Sequence, residues 1–152
     1  MKWYYVLSVF LLLFDQLTKH IVRTNLHLYQ SIQLLPILAI SYTTNTGIVF
    51  GWFRGRNEVF IVVVTIVLIL LISAARDIVR EFKTLGRIAL CLIFSGGVGN
   101  LIDRIFFGEV VDFIDIQWNY KNIWPVFNFA DSYVFIGIWM LVIKYIIGKF
   151  RR

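Results

Sequence analysis

Residues Val59 to Ala75 read Val-Phe-Ile-Val-Val-Val-Thr-Ile-Val-Leu-Ile-Leu-Leu-Ile-Ser-Ala-Ala, with no charge at any position. Neither a helical nor a strand period turns such a run into a half-polar surface. Crossing the hydrocarbon core of a bilayer takes about 20 mostly apolar residues, with a range of about 17–25. Three further stretches qualify. Trp3 to Val22 is apolar apart from Asp15, Gln16, Thr18, Lys19 and His20 near its end. Ile88 to Phe107 is interrupted only by Asn100, Asp103 and Arg104, and Ser132 to Gly148 carries only Lys144. The whole chain has the same bias: 59% of its 152 residues are hydrophobic and 16% are charged, and the mean hydropathy is +0.78. A soluble domain is nearer 45–50% apolar and about 25% charged, so a soluble globular domain and a disordered chain are both excluded. The expected architecture is one all-α membrane domain over 1–152, with four transmembrane helices at about 3–22, 59–75, 88–107 and 132–148. The first stretch lacks a small-x-small cleavage site and runs into Asp15-Gln16, so it reads as a retained span rather than a signal peptide.

Basic residues orient the spans. Lys2, Arg76, Arg80, Lys83, Arg87, Lys149, Arg151 and Arg152 fall at one set of ends. The 23–58 and 108–131 connections hold only Arg23, Arg54, Arg56 and Lys121, and they hold the acids Glu109, Asp112, Asp115 and Asp131. The positive-inside rule then places both termini in the cytoplasm and both longer connections outside. Residues 31–53 are apolar and β-rich, with Pro36 and Gly47 as punctuation; residues 108–127 carry Trp118, Tyr120 and Trp124, which suit the membrane–water interface. The net charge of +6 flanks apolar blocks, which fits anionic lipid head groups rather than nucleic acid.

With that orientation the costly polar residues gather at one depth. An ionisable side chain at a span centre costs about 2.5–3.5 kcal/mol on insertion scales. Asp15 and Lys19 fall near the outer end of the first span, and Asn100, Asp103 and Arg104 near that of the third. Asp112 follows, Asn128 and Asp131 open the fourth, and Asn45 and Gly47 lie in the first outer connection. A buried polar site at the outer interface explains this clustering. Each group also has a plainer reading. Asp15 and Lys19 stand i, i+4 and can pair on one helix face. Asp103 and Arg104 are adjacent and need different partners. Asn128-Phe-Ala-Asp131 has the form of an N-cap with an acid at N3, and on spacing alone capping is the better role for Asp131. Asp112 and Asp115 point to opposite faces if 110–116 is extended and share a face if it is helical. Two carboxylates close together in a low dielectric share a proton and can serve one water as base and acid. Asp112 and Asp131, at the outer ends of consecutive spans, are the candidates.

Other features carry less. Ser95-Gly-Gly-Val-Gly99 does not complete a phosphate-binding glycine fingerprint and follows an apolar span, so close helix packing by small residues is the better reading. Cys91, the single cysteine, lies in an apolar run and reads as a buried thiol, while His20 and His27 are too isolated to suggest a metal.

At these polar stretches the chain resembles the lipoprotein signal peptidase (signal peptidase II) family. The matching stretches are Asp15-Gln-Leu-Thr-Lys19, Asn45-Thr-Gly-Ile-Val-Phe-Gly51, Gly99-Asn-Leu-Ile-Asp-Arg104, Gly108-Glu-Val-Val-Asp-Phe-Ile-Asp115 and Phe127-Asn-Phe-Ala-Asp-Ser132. Each is weak alone; five in order, at fitting depths, are specific. The resemblance implies an intramembrane aspartic endopeptidase of the bacterial cytoplasmic (inner) membrane. Such an enzyme removes signal peptides from prolipoproteins, cutting before a cysteine that carries diacylglycerol. It implies catalytic aspartates at Asp112 and Asp131, and site-lining or substrate-holding roles for Asn45, Gly47, Asn100, Arg104 and Asn128. Asp15, Lys19 and Asp103 are then structural polar residues, no metal or other cofactor is required, and the partners are lipidated prolipoproteins and membrane lipids, with a monomer expected. A small extracytoplasmic β-cradle and an interfacial helix are implied at roughly 31–53 and in part of 108–127. Ile48 and Val49 depart from the two alanines usual in the family's second motif, which bears on fine specificity.

Readings from other classes make different demands. A four-span proton-coupled transporter would use Asp15, Asp103 and Asp131 as relays spread through the membrane depth, which clustering at one surface opposes. A non-enzymatic scaffold or an inactive peptidase relative would tolerate substitution of Asp112 and Asp131.

Overall fold

The computed structural model describes residues 3–46, 57–118 and 121–150. Its elements run α1 (Trp3–Asn25), β1 (Ser31–Leu35), β2 (Leu38–Asn45), α2 (Asn57–Phe107), β3 (Val110–Trp118), β4 (Lys121–Asn122) and α3 (Phe129–Phe150). The described residues are mostly helical, and among them three helices are long and apolar enough to cross a membrane.

At 51 residues α2 would be about 77 Å long if straight, more than twice the roughly 30 Å hydrocarbon core. It is not straight. Lys83 adopts φ 52°, ψ −126°, and the chain folds back there. Asn57 Nδ2 donates to the Arg104 carbonyl at 2.8 Å, and Leu68 packs on Gly97. The 57–82 and 84–107 arms therefore run antiparallel. The 76–87 stretch, expected as a polar connection, is helical on both sides of Lys83. It holds no proline, and its single glycine, Gly86, lies past the bend and packs against the Ile78 carbonyl.

The pattern of burial is reversed relative to a soluble protein. The largest fully buried side chains include Lys19, Asn128, Asp15 and Asp103, whereas Val62, Ile66, Leu70, Phe135 and Ile143 are exposed. Apolar side chains facing outward around polar ones facing inward suit a hydrocarbon surround. Small residues let the helices close on one another. A side-chain carbon at Gly96 would meet the Ala130 carbonyl, and one at Gly137 would lie 2.8 Å from the Ala89 carbonyl. This is the close packing expected of Ser95–Gly99.

The strands form one antiparallel sheet in the order β1-β2-β3-β4. β1 and β2 make a hairpin across residues 36–37, and β2 pairs with β3 from Leu38↔Ile116 to Asn45↔Val110, with an irregularity between Ile40 and Thr43. Val111 and Phe113 on β3 bury against Val22 of α1, backed by Leu26, Tyr42 and Phe129, which fixes the sheet to one end of the bundle. The β-cradle expected over 31–53 is present over 31–45; residues 47–53 lie outside the described residues. The interfacial helix expected within 108–127 is not there among the described residues: 110–118 is strand. Val110, Val111, Phe113 and Ile114 are β-branched or aromatic and gain a pairing partner in β2, which outweighs any helical preference.

Candidate active site

Three structures bring the polar residues together: the α1 end, the 84–107 arm, and β3 with the start of α3. On α1, Asp15 and Lys19 face the bundle and pair at 2.8 Å, as their i, i+4 spacing predicts. The second oxygen of Asp15 accepts the Ala130 N–H at 2.9 Å, one of the donors left free at the start of α3. Gly99 makes room for this carboxylate, since a side-chain carbon there would lie 2.6 Å from Asp15 Oδ2. Lys19 Nζ also reaches Asp103 Oδ2 at 3.0 Å and Asn100 Oδ1 at 2.8 Å. One buried cation thus serves two carboxylates and one amide, as a buried charge requires.

Asp103 and Arg104 do take different partners. Asp103 faces Lys19 and, at 3.9 Å, Arg23. Arg104 turns the other way. Its Nη1 donates to the Asn100 carbonyl at 3.3 Å and its guanidinium lies 5.4 Å from the centre of the Phe60 ring. Its Nε is buried with no hydrogen-bond partner among the described residues, so Arg104 retains a donor for an incoming acceptor.

The α3 start carries the expected cap and more. Asp131 N–H donates to Asn128 Oδ1 at 2.9 Å and Asn128 N–H donates to Asp131 Oδ2 at 3.2 Å, a reciprocal capping box. Asn128 Nδ2 then donates to Asp112 Oδ1 at 2.7 Å. Asn100 Nδ2 donates to the other Asp131 oxygen at 2.7 Å, and Asn45 Nδ2 donates to Asp112 Oδ2 at 3.3 Å. Asp112 and Asp131 are therefore joined through a single residue, Asn128. Asp131 combines capping with membership of this cluster.

Because 110–118 is extended, Asp112 and Asp115 leave β3 on opposite faces. Asp112 turns to Asn45 and Asn128. Asp115 is buried on the other face, where Ser41 Oγ and Gln117 Nε2 donate to it at 2.7 and 2.6 Å. Burial is the main force pushing the Asp112 carboxyl up to about 7, and the neighbouring Asp131 carboxylate adds to it. The Asn45 and Asn128 hydrogen bonds and the Lys19 charge act in the opposite direction. A carboxyl held near neutrality beside a second one can carry the shared proton of an acid–base pair.

Of the residues singled out in the sequence, Asn45, Asn100, Arg104, Asp112, Asn128 and Asp131 surround this cluster. Asp15, Lys19 and Asp103 form the layer behind it. Gly47, Ile48 and Val49 lie outside the described residues. Sequence reasoning missed several partners. Gln16 Nε2 holds the Gly99 carbonyl at 3.1 Å, Asn57 holds the Arg104 carbonyl, and Ser41 with Gln117 holds Asp115. A second polar residue beside Asp15 in an apolar span was a usable signal for Gln16. The partners of Asp115 depend on sheet register and had none.

The chain has clear relatives among known proteins. The family model described as signal peptidase (SPase) II matches residues 7–147. The chain is similar to the lipoprotein signal peptidase of Geobacter metallireducens, with 39% identity over 144 residues, 93% of this chain and 88% of that protein. It is 36% identical over 141 residues to the lipoprotein signal peptidase of Staphylococcus aureus, covering 91% and 84%. Among solved structures it resembles a bacterial membrane enzyme determined by the in meso method at 2.3 Å resolution. There the TM-score is 0.87 and the identity 32%, with 98% of this chain and 90% of that chain covered. A second bacterial membrane enzyme, at 1.9 Å, gives a TM-score of 0.84 at 33% identity, covering 95% and 93%.

Proposed function

The chain belongs to the signal peptidase II family, and from that premise we propose that it removes signal peptides from diacylglyceryl-modified prolipoproteins with Asp112 and Asp131 as its catalytic pair. The observation that carries the assignment of the pair is Asn128, which donates its side-chain amide to Asp112 and its backbone N–H to Asp131. Two acids joined in this way, with one raised to about 7, can share a proton near neutral pH.

One carboxylate takes a proton from a water whose oxygen attacks the scissile carbonyl carbon. The protonated carboxyl gives its proton to the carbonyl oxygen. The tetrahedral diol then collapses: the C–N bond breaks, the leaving amine takes up the proton first removed from the water, and a diol hydroxyl returns its proton to the carboxylate that had donated one. Asp112 is the natural holder of the donated proton. Arg104, whose Nε has no hydrogen-bond partner among the described residues, is placed to hold a substrate backbone carbonyl, and Asn45 and Asn100 fix the carboxylate oxygens.

The helical fold-back at Lys83 supports four membrane crossings, two of them by α2. Basic residues at the Lys83 end and at both termini support a cytoplasmic location for those ends and an outer-face location for the site, in a bacterial inner membrane.

The test is cleavage of a diacylglyceryl-modified prolipoprotein by the purified protein in detergent, read as a gel shift. Its unlipidated form and the Asp112→Asn and Asp131→Asn variants run beside it. The expected result is cleavage of the lipidated form by the parent protein alone. Near-normal turnover by either folded variant would overturn the assignment of the pair.

A further inference from the structure

At the opposite end of the molecule from the carboxylates, α1 and the two arms of α2 leave a groove of about 880 Å³. Val79, the buried Leu90 and Phe94 line it with hydrocarbon, the exposed Arg76 and half-buried Arg87 line it from different arms, and Tyr4 lines it from α1. Arg76 lies seven residues before the Lys83 bend and Arg87 four after it. At about 1.5 Å rise per residue, both backbone positions are within about 11 Å of the bend, and arginine side chains there reach head-group level by extending along the helix. Arg87 spends its charge on the face of the Tyr4 ring, 5.5 Å from its centre. Among the described residues neither guanidinium has a carboxylate partner: the ion pairs are those of Lys19 and Arg23.

We propose that this groove is a binding site for an anionic phospholipid. The phosphodiester sits between Arg76 and Arg87, and an acyl chain lies along Val79, Leu90 and Phe94. Charge complementarity selects this occupant. A planar guanidinium on each side matches the two non-bridging phosphate oxygens, and the apolar floor matches a chain that no soluble phosphate carries. Basic pockets between membrane helices hold such head groups for the same reason. The site lies away from the Asp112–Asp131 pair and stands whether or not the peptidase reading does.

The test uses the full-length protein, stripped of lipid in detergent and titrated with phosphatidylglycerol or phosphatidylcholine, with retained lipid read by native mass spectrometry. The parent protein retains one phosphatidylglycerol in preference to phosphatidylcholine, and inorganic phosphate in large excess does not displace it. Arg76→Gln with Arg87→Gln weakens retention about thirtyfold while leaving the melting temperature and prolipoprotein cleavage unchanged. Lys144→Gln with Lys149→Gln removes the same charge from a separate recess beside Glu81 and leaves retention intact. Equal retention of the two lipids, displacement by phosphate, or equal weakening by the two double variants would overturn the proposal.

Discussion

Lys19 Nζ donates to Asn100 Oδ1 across 2.8 Å and 81 residues of chain, and this contact decides which way the Asn100 amide faces. With Oδ1 taken by Lys19 and by Asn128 Nδ2, the amide nitrogen is left to face Asp131. Lys19 is also the cation shared by Asp15 and Asp103. Replacing it with methionine leaves the buried Asp15 carboxylate without its cation and Asp103 with Arg23 alone, at 3.9 Å, which costs about 3–5 kcal/mol. Lys19→Met is expected to melt well below the parent protein in detergent, and adding Asp15→Asn is expected to recover part of the loss. Thermal melts of the single and double variants check the coupling.

Gly99 faces a carboxylate that cannot retreat, because Asp15 is held by Lys19 and by the Ala130 N–H. Gly99→Ala places a carbon 2.6 Å from Asp15 Oδ2 and is expected to destabilise by about 1–3 kcal/mol. Gly148, also helical, has nothing within 4 Å of an added carbon. Gly148→Ala should be neutral or slightly stabilising, since alanine favours helix by up to about 1 kcal/mol. Melts of the two variants side by side separate crowding from helix propensity.

Asn128 performs two tasks that substitution can separate. Asn128→Asp keeps an N-cap oxygen for the Asp131 N–H, so the loss of helix start is small. It removes the amide that donates to Asp112 and puts a third carboxylate against the pair. Turnover is expected to fall by about 100-fold or more, as it does when reacting groups are misplaced, with a smaller change in melting temperature. A variant with parent-like kcat would detach Asn128 from the chemistry.

The Asp112 carboxyl has its folded pKa raised to about 7, above the value near 3.9 of an unfolded chain. Below about pH 4 both states are protonated and the stability is complete. As pH rises toward 7 the unfolded chain releases a proton that the folded one keeps, and stability falls; above 7 it levels off. Relative to Asp112→Asn, the parent protein is therefore expected to lose melting temperature between pH 4 and 7. Its kcat/KM should also decline above about pH 7, as Asp112 gives up its proton. Melts and initial rates across pH 4–9 test both limbs.

Much of this molecule can be read from the chain alone, because the signals are local. Long charge-free runs force helices into a bilayer whatever their neighbours. The i, i+4 spacing of Asp15 and Lys19 puts them on one face, and Asn128 with Asp131 marks a helix start by its own short-range geometry. Even the common depth of the polar residues follows from counting along the spans. Tertiary structure decided the rest. Whether 110–118 is strand or helix depends on β2 as a pairing partner, and strand geometry is what sends Asp112 to Asn128 and Asp115 to Ser41. The fold-back at Lys83 keeps α2 helical through a stretch whose charges suggest a loop. The meeting of Asn100, Asp112 and Asn128 depends on helix rotation, which Gly96 and Gly99 permit by close approach. Hydropathy and spacing report what each segment prefers; which side chains touch across segments is set by register and rotation, and these belong to the packed whole.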